Sequence, residues 1–233
     1  EANLDTPRPD PEPLRVVKID GSLLCKGSPT SAMDGHSNAG IIRWNDRLLM
    51  VYRHKWHGGQ IWVTELDDDT YQPIAGPGIR LDLRHHHSKH GADDPRFFIH
   101  AGNLNVSFAG VEGRLGPCSQ LFATLNDAAD AVESITFLDI TARTVSEKNI
   151  NCFSHDDNGV LYAVYSISPH VILRVHPDGR CERAFETKTP HTWSGGPLRG
   201  GAPPVRVGDE YISWFHGHVK IGGVKTYTTG VYS

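Results

Sequence analysis

Four times along the chain's 233 residues a polar cluster leads into strand, tight turn, strand, looser turn and strand. The cluster heads are Asn38, Asp94, Asn149 and Gly201, which stand 56, 55 and 52 residues apart. In the first unit, residues 39–44 and 48–53 flank the turn Asn45-Asp46-Arg47. Residues 60–66 then alternate apolar with polar, and 71–75 supply a short fourth strand. The second unit runs through 95–100, 104–110, 120–125 and 134–138, and the third through 148–153, 160–166, 171–175 and 181–185. The fourth has 201–207, 210–216 and 225–232. Alternation of this kind marks half-buried strands, and the best helix candidate is the short stretch 126–132. Regular repetition of such units predicts an all-β chain, and within that class a β-propeller, with a β-sandwich as the weaker alternative. The last unit lacks a fourth strand. The expectation is therefore a five-bladed type with only about four blades present. The alternative is a closed four-bladed propeller completed by the early strand at 14–19. Residues 1–12, polar and rich in proline, read as an extended N-terminal arm, and 13–233 as a single propeller domain. An open propeller edge would be covered by a second copy in a homo-oligomer.

Composition excludes several functions. Lys plus Arg is 23 against 27 Asp plus Glu, so no basic excess argues for nucleic acid. No apolar stretch reaches the ~20 residues that span a membrane. No signal peptide is visible, and cytoplasmic and secreted locations both stay open. Cys25, Cys118, Cys152 and Cys181 form no C-x-x-C pair and so give no metal or redox motif. Two disulfides and free buried thiols are both compatible with them. Asn105-Val106-Ser107 is formally a glycosylation acceptor but falls inside a predicted strand. His85-His86-His87, with Lys89 and His90, cannot turn three rings toward one metal from a regular strand. The segment reads as a polar loop overhanging the mouth, one of its histidines touching substrate. Neither a metal nor an organic cofactor is expected.

In a propeller the innermost strands ring a central channel, and their ends meet at one mouth. Here the heads carry His36, Ser37 and Asn38 with Arg53, then Asp93, Asp94 and Arg96, then Glu147, Lys148 and Asn149. The fourth adds Arg199 to Gly201, with His216 and His218. Pro95 restricts Asp94 to an extended backbone, and the i, i+2 spacing places Arg96 on the same face. Taken singly, each is a turn residue, a solvated charge or a structural salt bridge. Recurrence at equivalent places favours a site. Acids, amides, histidines and cations suit a polyhydroxylated ligand, and Trp44, Trp56, Trp62, Trp193 and Trp214 offer stacking faces. The cations would also hold an anion such as phosphate.

Ser37-Asn38-Ala39-Gly40, Leu49-Met50-Val51-Tyr52-Arg53, Asp93-Asp94-Pro95-Arg96, Glu147-Lys148-Asn149, Gly200-Gly201-Ala202-Pro203-Pro204 and Ser213-Trp214-Phe215-His216-Gly217 occur in that order. In this ordered set the chain resembles glycoside hydrolase family 130, five-bladed propellers acting on β-mannosides, over roughly residues 35–233. The resemblance implies cleavage of β-mannosides or related oligosaccharides with inversion, by phosphorolysis or hydrolysis, with mannosyl transfer known in related propellers. It implies Asp94 as general acid, its proton passing through a mannose hydroxyl. It implies Asn38 and Arg53 as sugar contacts, and Arg96, Lys148 and His216 near substrate or phosphate. Asp93 and Asn149 complete the expected substrate-binding set. Hydrolysis needs a base, for which Glu147 and Asp34 are the candidates. Inorganic phosphate is the expected co-substrate of phosphorolysis. The chain diverges in having Asp93 where the family usually has Glu, and in lacking the last blade. Tyr165-Ser166-Ile167-Ser168 stands where the phosphorylases carry a further arginine. The alternative class is a non-catalytic glycan-binding propeller, with an interaction scaffold ranked last.

Overall fold

A computed structural model describes residues 17–19, 24, 35–54, 59–113, 117–140, 147–155, 159–188 and 193–233. The expected N-terminal arm, most of the early strand, Cys25, Asp34 and Trp56 lie outside the described residues. The first sheet is β1 (His36–Trp44), β2 (Arg47–His54), β3 (Gln60–Leu66) and β4 (Ile79–Arg80), in that spatial order. The second is β5 (Ala92–His100), β6 (Asn103–Val111), β7 (Cys118–Leu125) and β8 (Val132–Phe137), also in order. The chain then lays a short β9 (Asp139–Ile140) parallel to the outer strand of the third sheet. That sheet is β10 (Asn151–His155), β11 (Val160–Ile167), β12 (His170–Val175) and β13 (Arg180–Glu186). The fourth comprises β14 (Arg199–Gly200), β15 (Val205–Val207), β16 (Glu210–Ile221) and β17 (Val224–Tyr232). Four small antiparallel sheets in succession form the predicted all-β propeller. β1 packs on β5, β5 on β10, and β14 on β11, while no comparable packing joins the fourth sheet to the first among the described residues.

Strand alternation explains how the blades stack. Consecutive side chains of a strand point to opposite faces. Phe97 accordingly joins Leu49, Val51 and Ile61 in the core between the first two blades, whereas Phe98 joins Ile150, Cys152 and Leu161 on the other side. In β10 the same alternation sends Cys152 toward the second blade and Phe153 toward Val164 and Phe215 of the next interface. Each fully buried side chain of this kind contributes roughly 1.5–3 kcal/mol.

The structure departs from the sequence reading in local places. Residues 71–75 hold only an isolated bridge from Leu66 to Pro73, because Tyr71 turns left-handed at φ 58°. β4 forms beyond Gly78, where a Cβ would lie 2.1 Å from the Val63 carbonyl oxygen. Within the best helix candidate, residues 126–131 make a turn, and Val132 already opens β8. Asn126 Oδ1 accepts from the amides of Asp130 at 3.0 Å and Ala131 at 3.1 Å, an arrangement in which an Asn side chain competes with helix formation. The expected strand 201–207 is split around Pro203 and Pro204, which carry no N–H for a ladder. Asn105 is 2% exposed and bonds Asn103 and Thr124, so its amide is not presented as a glycosylation acceptor.

Cys118, Cys152 and Cys181 are buried and form no disulfide among the described residues. Burial pushes the Cys181 thiol up to about 12, and burial with the neighbouring Cys181 pushes Cys152 up strongly. The thiolate is the reactive form. Dithiobis(nitrobenzoate) at mildly alkaline pH should therefore leave these three unmodified in the native protein and label them in guanidinium. Peptide mapping of the labelled sites checks this, and rapid native labelling of Cys152 would contradict it.

Candidate active site

The inner-strand heads repeat one backbone device. The β1–β2 register slips between Ser37 and Gly40, and the β5–β6 register slips between Asp93 and Arg96. Within each slip one residue is left-handed, Asn38 at φ 58° and Asp94 at φ 54°. Asn149, just before β10, is left-handed too at φ 63°. Asn and Asp tolerate this region better than other non-glycine residues, and a β-bulge re-aims a side chain. Here two bulges in successive blades aim their side chains at each other, and Asn38 Nδ2 donates to Asp94 Oδ1. This corrects the expectation that Pro95 keeps Asp94 extended. The extra residue also breaks the i, i+2 rule on which the placement of Arg96 rested.

Arg53 lies opposite Ser37 across the β1–β2 ladder, and its guanidinium holds Ser37 Oγ at 3.0 Å from Nη2 and 3.3 Å from Nε. Its Nη1 stands 3.0 Å from Asp93 Oδ1 and 3.8 Å from Asp94 Oδ1. Lys148 Nζ, from the third blade, lies 3.2 Å from Asp93 Oδ2. The side chains of Arg53, Asp93 and Asp94 are 16%, 18% and 15% exposed, which is dry enough to strengthen their attraction yet open to a ligand. Burial works against the Lys148 charge, but Asp93, with Cys118 and Asp94, outweighs it and the pKa is raised. Gly59, at φ 89°, is required beside this group because a Cβ there would meet Asp93 Oδ1 and the Ala92 carbonyl at 2.8 Å.

Arg96 takes a different part. Its Nε donates to the Gly201 carbonyl at 2.6 Å, and Nη1 donates to the carbonyls of Asn38 at 3.1 Å and Pro95 at 2.7 Å. One guanidinium thus ties the heads of the first, second and fourth blades. Burial pushes its pKa down, Asp94 opposes and Arg53 adds to the lowering. An arginine nevertheless stays protonated in proteins.

His216 pairs across the ladder with Arg199. Burial, Arg199 and Arg96 push its pKa below the usual imidazole value, against the pull of Asp94 and a hydrogen bond with the Gly200 backbone. A neutral imidazole can both donate and accept a hydrogen bond. Asn149 turns its carbonyl toward Gly200, where a Cβ would stand at 2.3 Å. With Lys148, Tyr165 and Arg199 it lines a cleft of about 370 Å³. Glu147 is 5% exposed and accepts from the Tyr165 hydroxyl at 3.3 Å. In the sequence Tyr165 draws notice only as a residue standing where an arginine is expected. Its signal was its place late in the third blade's second strand, as Arg53 is in the first.

The histidine loop is anchored, with His87 Nδ1 2.7 Å from Glu112 Oε1 and its ring stacked on Phe137 at 4.1 Å. Of the loop's histidines, His90 reaches the large cleft beside Asp93. Among the tryptophans, Trp44 is tied to the Asp127 carbonyl and Trp193 to Thr228. Asn38, Arg53, Asp93, Asp94 and Lys148 therefore form one linked group, with Arg96 and His216 close enough to feel Asp94. Chemically the group offers a carboxylate pair, an amide and fixed cations, which can order sugar hydroxyls, move a proton and balance an anion.

No family model matches the chain, and no curated protein matches it in sequence. Solved structures share its fold. A glycosyl hydrolase from Bacteroides ovatus aligns with a TM-score of 0.54 at 12% identity, over 85% of this chain and 66% of the other. A β-xylosidase aligns at 0.56 and 14%, over 83% and 69%. A structure from the GH130 family of mannoside phosphorylases, which contains glycoside hydrolases that target β-1,2 mannosidic linkages in Candida mannan, aligns at 0.50 and 11%, over 79% and 61%. The chain thus spans about two thirds or less of the first and third of these. The likeness is to glycoside hydrolase propellers as an architecture, and it does not single out family 130.

Proposed function

We propose that the chain is a carbohydrate-active enzyme that cleaves β-mannosides or related oligosaccharides with inversion, with Asp94 as proton donor. The observation that carries this is the pair of matching bulges that bring Asn38 and Asp94 into contact while Arg53 bridges Asp94 and Asp93. A backbone held left-handed at a non-glycine residue costs of order 1–3 kcal/mol and clusters at functional sites. Two such residues aimed at one point are more than a loop tie requires.

In this reading a sugar ring sits over Asp94, its hydroxyls ordered by Asn38, Arg53 and His216. The Asp94 proton passes through a sugar hydroxyl to the departing glycosidic oxygen as the bond to the anomeric carbon breaks. Phosphate oxygen or water bonds to that carbon from the opposite face. Lys148 and Arg53 supply positive charge for an incoming phosphate. Water attack needs its own base. Glu147, buried against Tyr165, and Asp34, outside the described residues, are the sequence-derived candidates. The substrate sugar, phosphate and the assignment to family 130 rest on the sequence resemblance.

Product analysis with short β-mannosides, with and without inorganic phosphate, tests the reading. Mannose 1-phosphate formed only with phosphate is the outcome of phosphorolysis, and free mannose in both buffers that of hydrolysis. Sugar binding without any product would replace the enzyme with a glycan-binding propeller.

A further inference from the structure

A cleft of about 1160 Å³ is lined by Arg53 and Asp93 together with residues of the first two blades. The first blade and its exit give it Gly59 to Ile61 and Arg80 to Arg84. The histidine loop and second blade give it Ser88 to Asp93, with Val111 and Gly113. Its charges do not cancel. Arg53 is matched by Asp93 at 3.0 Å and Arg84 by Asp82 at 2.5 Å. Arg80, close enough to Asp82 to lower its pKa, and Lys89 make no ion pair within 4 Å among the described residues, so four cations face two carboxylates in the lining, and His90 stands beside Lys89. Ile61, Leu81 and Leu83 back the cleft from the core, only 1%, 4% and 8% exposed.

Sites for small ligands are commonly ~300–1,000 Å³. This cleft therefore has room for more than one inorganic anion or one sugar ring. Arg53 and Asp93 line it as well, and Arg53 also reaches Asp94 at 3.8 Å, which joins the cleft to the proposed site. We infer that this cleft binds the continuation of an acidic saccharide, with Arg80 and Lys89 holding a carboxylate, sulfate or phosphate ester on a sugar beyond the one at Asp94. The inference names the substrate class of the proposed site and rests on that reading for the direction in which the chain enters. Charge-assisted contacts of this kind are the strong ones, and both cations lie outside the group assigned to proton transfer.

Titration calorimetry at low salt tests it with three probes: a short oligogalacturonide, neutral mannotetraose and inorganic sulfate. The wild-type protein should bind the oligogalacturonide at least tenfold tighter than mannotetraose. Arg80→Glu and Lys89→Glu should each weaken the acidic probe about tenfold, the loss expected for one charged contact. Mannotetraose affinity and Tm should stay unchanged in both. Equal wild-type affinity for acidic and neutral chains, or unchanged binding of the acidic chain in both variants, would overturn the inference. Sulfate binding as tightly as the oligogalacturonide would also overturn it, marking a free-anion site. If no β-mannoside is turned over but the acidic preference and its loss in the variants persist, the catalytic reading fails and this one stands.

Discussion

Asp94→Asn is expected to lower kcat on an unactivated β-mannoside by about a thousandfold, within the range that a positioned acid contributes. Tm should not change appreciably. The substitution suits the question because it removes the proton and the charge, including the 3.8 Å tie to Arg53, while keeping the shape. Asparagine has nearly the size of aspartate, tolerates φ 54° and can still offer Oδ1 to Asn38 Nδ2. A leaving group's basicity then separates a proton donor from a residue that merely shapes the pocket. An aryl β-mannoside with an acidic phenol leaves without help, so its turnover should fall far less in the variant than that of a mannobiose. A loss equal on both substrates would point to binding or geometry. Unchanged turnover of mannobiose would remove Asp94 from catalysis. Asp93→Asn makes a useful contrast, because it breaks the ties to Arg53 and Lys148 while leaving Asp94 ionisable.

The repeat was legible in the sequence because strand alternation and turn residues are local signals. Spacings of 56, 55 and 52 residues survive any error of a few residues at strand ends. Gln60–Leu66 was placed at its observed ends. Asn38, Asp94 and Asn149 could be singled out because polar residues before an apolar run stand out in a line of text. Their left-handed backbone could not be read there. Pro95 argued for an extended Asp94, and the pairing with β6 overrode that local preference by inserting a bulge. The short strand expected at 71–75 fails for a similar reason, since positive φ at Tyr71 breaks a pattern that composition alone supports. The cleft was invisible for another cause. Its walls come from segments at 59–61, 80–84 and 88–93 that carry no common period and meet only when two blades pack.

Arg96 shows how a residue can be found correctly and assigned too narrowly. In sequence a guanidinium two residues after a candidate acid reads as a ligand contact. In the structure its bonds go to the carbonyls of Gly201, Asn38 and Pro95. Arg96→Met, which keeps much of the apolar stem, should therefore act first on stability. Each buried acceptor left without its partner costs roughly 1–3 kcal/mol, and such losses are not additive. A net loss of about 3 kcal/mol corresponds to a fall in Tm of roughly 6–12 °C for a chain of this length. Arg96→Lys should recover only part of it, because a single ammonium cannot reproduce the planar fork that reaches several carbonyls at once. Activity should fall as a consequence, since the Asn38 carbonyl held by Arg96 belongs to the bulge that aims the Asn38 side chain at Asp94. Thermal melts of Arg96→Met, Asn38→Ala and the double variant separate these effects. A brace acting through the bulge gives a double variant less destabilised than the sum of the singles. A Tm equal to wild type in Arg96→Met, with only KM raised, would return Arg96 to the role of a plain substrate contact.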